Sequence, residues 1–114
     1  MILSIGEKIF VIVRPLFQSD LHVHYIGEVQ DVSETAVRIR GYVFILDNSS
    51  GKFVRREDMR TRIFPLVDAG IVIIVLQGEV ILEEVRYSSN DKNQRVITDD
   101  KAFEMNVSEF GANR

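Results

Sequence analysis

Cysteine is absent from this chain. That excludes disulfides, thiolate catalysis and cysteine-ligated zinc. Proline is scarce, with two in 114 residues, Pro15 and Pro65. Positive charge is in the minority: 14 Lys and Arg stand against 17 Asp and Glu, for a net charge of −3. Nucleic-acid binding by bulk charge is therefore disfavoured, although a local basic patch could still provide it. Long apolar runs are missing too. The longest, Ile71-Val72-Ile73-Ile74-Val75-Leu76, has six residues, against the roughly 20 that cross a bilayer as a helix. Met1 to Lys8 lacks the charged leader and cleavage site of a secretion signal, so a cytoplasmic protein without membrane contact is expected. No P-loop, dinucleotide fingerprint or nucleophile elbow occurs, and the expectation is a non-enzyme without a cofactor.

What is present reads as one ordinary globular domain, 46% apolar and 27% charged, long enough for a modest core. The six-residue apolar run is rich in β-branched residues, which suit a pleated strand, and Gly70 and Gln77-Gly78 punctuate its ends. A strand with two apolar faces must be covered on both, by the core and by a lid from the same chain or a neighbour.

The remaining strands follow by pattern. Lys8 to Arg14 is the first, ended by Pro15. After a turn at Gln18-Ser19-Asp20 comes His22 to Val32, with Gly27 midway. Ala36 to Asp47 is the third, broken at Gly41, with Arg38 and Arg40 in one phase before the glycine and Tyr42, Phe44 and Leu46 after it. Asn48-Ser49-Ser50-Gly51 marks a hairpin into a short strand, Lys52 to Arg55. Ile63 to Val67 carries an internal proline, and Asp68-Ala69-Gly70 turns into the apolar run. Val80 to Tyr87 fits helix or strand. Arg95 to Thr98 and Ala102 to Val107 form a two-stranded appendix in which Phe103, Met105 and Val107 need burial, and the tail from Ser108 frays.

This order of elements resembles the Sm-like (LSm) family. Lys8 to Val13, Tyr25-Ile26-Gly27-Glu28-Val29-Gln30-Asp31, Ala36 to Leu46 and Ile63 to Leu76 are similar to its five strands. The resemblance implies an all-β fold: a five-stranded, strongly bent antiparallel Sm-like or SH3-like barrel over residues 1–77, with residues 78–114 as a C-terminal β-hairpin extension packed on it. It also implies a homo-oligomeric ring, in which the fourth strand of one subunit pairs with the fifth of the next. The interface would be formed by Ile63, Phe64, Leu66, Ile71, Ile73 and Val75. RNA is the partner class it suggests. However, Glu34-Thr35 and Val67-Asp68-Ala69-Gly70 stand where the family's usual uridine pocket has an asparagine and an arginine-glycine pair.

Two clusters carry candidate chemistry. Lys52 to Arg62 holds five basic and two acidic residues; Arg55, Arg56, Arg60 and Arg62, with Arg38 and Arg40, are the residues suited to phosphate oxygens. A solvated loop with internal charge pairing is the plainer reading of that run. His22 and His24, two apart on a strand, share a face and could meet one metal ion; two exposed histidines are the plainer reading, and no metal is expected. The function these residues support is a scaffold of Sm-like type that contacts RNA through the basic patch. The alternative is a small barrel that binds protein partners.

Overall fold

The computed structural model describes residues 2–13, 22–47, 49–56, 58–67, 70–101 and 103–107. The Pro15 stop, the Gln18-Ser19-Asp20 turn, Asn48, Asp68-Ala69, Ala102 and the tail from Ser108 lie outside the described residues. The chain is all-β. Its strands are β1 (Lys8–Val13), β2 (Val23–Val32), β3 (Ala36–Asp47), β4 (Lys52–Arg55), β5 (Arg60–Pro65), β6 (Ile71–Val75), β7 (Arg86–Ser89), β8 (Arg95–Thr98) and β9 (Glu104–Asn106). One 3-10 turn, Leu82–Glu84, precedes β7.

Two antiparallel sheets result. The first runs β4-β3-β2-β1-β6, with β5 also paired to β3; the second runs β7-β8-β9. Strand β3 is the hub: it pairs with β2 along its length, with β5 through Ala36 to Gly41 and with β4 through Phe44 to Asp47. The hub is thus β3, and the apolar run is an edge strand, bonded among the described residues only to β1. Among the described residues β5 and β6 do not pair with each other, and no closed barrel is found.

Strands β2 and β3 approach most closely at two glycines. Gly27 and Gly41 stand directly opposite one another. A Cβ on Gly41 would lie 1.9 Å from the Ile26 carbonyl oxygen and 2.5 Å from the Gly27 Cα. One on Gly27 would lie 2.6 Å from the Arg40 carbonyl oxygen. The backbones approach too closely at this crossing for any side chain.

Alternation along the strands produces two cores. On one face Ile9, Val11, Tyr25, Val29, Val37, Ile39, Val43 and Phe64 are buried, flanked by Ile71 and Ile73. On the other, Phe10, Ile12, Ile26, Tyr42 and Phe44 are buried, flanked by Val72, Ile74 and Leu76. The second core is covered from within the chain by Val80, Leu82, Val85, Ile97 and Val107, with Phe103 and Met105 beside them. The cover for the second face of the apolar strand is therefore the chain's own C-terminal segment. Its sheet has three strands instead of two, and Val80 to Tyr87 resolves into a 3-10 turn followed by β7.

Polar groups fix this cover in place. Asp99 is 1% exposed; its carboxylate accepts from the backbone N–H groups of Ile81 at 3.0 Å, Lys101 at 2.9 Å and Phe103 at 3.0 Å. Lys8 Nζ donates to the carbonyl oxygens of Gly78 at 2.8 Å and Val80 at 2.5 Å. Arg86 forms an ion pair with Asp100.

Candidate functional site

Directly opposed residues of an antiparallel pair share a sheet face. Arg38 is opposite Ile63 and Arg40 opposite Thr61, whereas Arg62 is opposite Ile39 and Arg60 opposite Gly41. The sheet therefore divides the expected patch: Arg38 and Arg40 lie on one face, Arg60 and Arg62 on the other.

Each arginine also has its own setting. Arg38 stands 3.9 Å from Asp31 in an exposed ion pair, a contact of little energetic weight. Arg40 Nε lies 3.0 Å from Met59 Sδ. Arg55 packs its guanidinium 4.9 Å over the Tyr42 ring and donates to the Glu83 carbonyl oxygen at 2.5 Å, so it braces the C-terminal cover. Arg56, Arg60 and Arg62 have no carboxylate within ion-pair range among the described residues. Glu57, one of the two acids on which internal charge pairing of this run would rest, lies outside the described residues.

Arg60 and Arg62 flank the Tyr25 hydroxyl, which donates to the Arg60 carbonyl and, at 3.3 Å, to that of Ile39. Burial pushes this phenol above its ordinary range, opposed by a backbone hydrogen bond and the two arginine charges.

The two histidines part company. His24 is 3% exposed. Its ring stacks on Phe53 at 4.3 Å, meets Phe10 edge-on at 5.4 Å and shares a hydrogen bond between Nδ1 and the Tyr87 hydroxyl. Burial, with the neighbouring charges of His22 and Arg95, holds the imidazole down to about 4. Burial likewise raises the Tyr87 phenol well above its ordinary range. The expectation of exposed strand histidines is corrected for His24, which is a core residue joining the first sheet to β7. Among the described residues no group of three His, Asp or Glu side chains could hold a metal ion. Tyr42 and Phe44 are buried beneath the C-terminal cover.

The candidate interface residues fall into two groups. Ile63 on β5 is 62% exposed and Val75 on β6 is 51% exposed. Phe64 is buried in the first core against Tyr25, with ring centroids 5.4 Å apart. Leu66, Ile71 and Ile73 are half-buried at the margin of the same core. Leu66, Ile73 and Val75 line a groove of about 380 Å³ together with Ile2, Leu3 and Val32. The exposed side chains of Ile2, Ile5 and Val67 were not among the expected interface residues. Ile2 and Ile5 lie outside any strand pattern, and Val67 ends the expected strand, which in the structure stops at Pro65.

A second cleft escaped the sequence reading entirely. It lies between the β3–β4 hairpin and β7–β8, has a volume of about 430 Å³ and includes Lys52 and Arg95 in its lining. These residues are 43 positions apart in the chain, and no local pattern links them. No family model, curated protein or solved structure matches this chain.

Proposed function

We propose that this chain is a non-enzymatic Sm-like subunit that assembles edge to edge with further copies and serves as an interaction scaffold. The observation that carries the reading is the pair of open edges. Among the described residues β5 is bonded only to β3 and β6 only to β1, and exposed Ile63 and Val75 sit on those two strands. An unpaired edge beside apolar surface invites another strand, and unprotected it is an aggregation hazard. Pairing β5 of one copy with β6 of the next is a heterologous contact, which closes into a ring when the rotation permits. Pro65 is the last residue of β5, so its missing donor falls at the end of the strand and leaves Arg60 to Phe64 able to pair.

The test is the mass in solution. A species of several subunits that persists at micromolar concentration supports the reading, and Ile63→Lys with Val75→Lys should dissociate it while the subunit stays folded. A wild type of 13.1 kDa under the same conditions refutes it.

RNA contact is a second reading, favoured by Arg56, Arg60 and Arg62 standing without carboxylate partners among the described residues. Binding through phosphates weakens steeply as salt is added. Arg56→Glu combined with Arg60→Glu should abolish it. A wild type that fails to retain mixed single-stranded RNA at low salt refutes this second reading and leaves the scaffold reading standing.

A further inference from the structure

We propose that the cleft between the β3–β4 hairpin and the β7–β8 hairpin binds the phosphate group of a small phosphorylated ligand. The proposal is independent of the assembly state. It rests on a juxtaposition that only the tertiary fold creates. Lys52 comes from the first sheet, and Arg95, Ser88 and Ser89 come from the second; all four line one cavity of about 430 Å³. Cavities of that size accommodate small molecules. Among the described lining residues Lys52 and Arg95 bring positive charge to the cleft and none is a carboxylate, in a chain whose net charge is −3.

The donors suit a tetrahedral oxyanion. Lysine offers a compact ammonium, arginine a planar fork of N–H groups, and serine a rotatable hydroxyl. Ser88 and Ser89 lie on β7, which is an edge strand bonded only to β8. Alternate backbone N–H groups of such a strand point away from its partner and add donors on that side. Arg95 is held in position: its guanidinium sits 5.4 Å over the Phe53 ring and donates to the Gly51 carbonyl. Gly51 takes a φ of +70° at the hairpin tip, a left-handed conformation that glycine adopts without strain. The hairpin acid Asp47 is engaged within its own turn, accepting from the Ser49 amide at 3.1 Å, the Ser49 hydroxyl at 2.9 Å and the Ser50 hydroxyl at 3.0 Å.

The experiment titrates the full chain with inorganic phosphate and, separately, with adenosine monophosphate, read by amide chemical shifts and by calorimetry. Saturable shifts confined to residues 50–52, 87–89 and 95 are expected at millimolar phosphate. Lys52→Glu and Ser88→Asp, both at exposed positions, each place a negative charge at the cleft and should weaken phosphate binding about tenfold or more. Tighter binding of the nucleotide than of phosphate assigns the site to a nucleotide. Equal binding assigns it to the phosphate group alone. Absence of saturable shifts in the wild type, shifts centred elsewhere, or unchanged affinity in both folded variants overturns the proposal.

Discussion

Acidification should destabilise this protein through one buried imidazole. His24 has an ordinary value of 6.5 and is held down to about 4 in the fold, chiefly by burial. Between those values the unfolded chain binds a proton that the folded chain refuses. Stability is therefore complete above about pH 6.5, falls as pH drops, and levels off once the folded state protonates near pH 4. The full linkage over that interval is about 3 kcal/mol, of which about 2 kcal/mol is lost between about pH 7.5 and about pH 5. That is a sizeable part of the stability of a small domain. The structural counterpart is the joint between the sheets. When the proton sits on Nε2, Nδ1 accepts from the Tyr87 hydroxyl; protonation removes that acceptor and places a cation between Phe10 and Phe53, near Arg95.

Carboxylates titrate in the same range, and the chain has 17 Asp and Glu, so the wild-type curve alone does not isolate the histidine. The control is His24→Phe combined with Tyr87→Phe. Removing both partners of a buried hydrogen bond with little change of shape is close to neutral, whereas removing one strands the other. Urea unfolding at a series of pH values gives each free energy from midpoint and slope. The double variant should gain on the wild type by about 2 kcal/mol as pH falls from about 7.5 to about 5. A difference that stays constant across that range would refute the reasoning.

Gly41→Ala should cost about 4 kcal/mol or prevent folding, because its Cβ would lie 1.9 Å from the Ile26 carbonyl oxygen; Gly78→Ala, which meets nothing within 4 Å, should change the thermal midpoint little. Asp99→Ala removes the acceptor of three backbone N–H groups and should cost about 2 to 4 kcal/mol in urea unfolding. The same variant should raise amide exchange in β8 and β9 first, since it frees the loop that joins them. Arg55→Ala should lower stability by about 1 kcal/mol through loss of the Tyr42 contact, without touching the open edges.

The strands of the first sheet were largely legible because alternation and β-branched runs are local signals. Ala36 to Asp47 is a strand with the bounds the pattern suggests, and Gly27 and Gly41 stood out midway along their strands. That the two glycines face each other follows from register, which is a nonlocal quantity. Strand β5 begins at Arg60, before the apolar residues that signalled it. Arg60, Thr61 and Arg62 are all exposed on an edge strand, so no burial writes itself into their sequence. His24 looked like an exposed residue because its cover, Phe53 and Tyr87, comes from segments 29 and 63 positions away. The same reason hid the cleft around Lys52 and Arg95, and parity alone would have separated Arg38 and Arg40 from Arg60 and Arg62 only once the register of β3 and β5 was known.

An apolar strand makes four demands, two faces and two edges, and here they are met by different parts of the molecule. Strand β1 takes one edge of Ile71–Val75. The first core takes Ile71 and Ile73, and the C-terminal cover takes Val72 and Ile74. Only the outer edge is left, and β5 leaves a matching one. The proposed edge-to-edge association would therefore not compete with the C-terminal cover, and the two can be perturbed separately. Ile74→Lys places an ammonium between the sheet and its cover and should unfold the subunit, since an unpaired buried charge has no compensation there. Val75→Lys sits at an exposed position and should leave the unfolding midpoint of the separated subunit nearly unchanged while lowering the mass in solution. If both substitutions unfolded the subunit equally, the outer edge of β6 would belong to the core rather than to a neighbour.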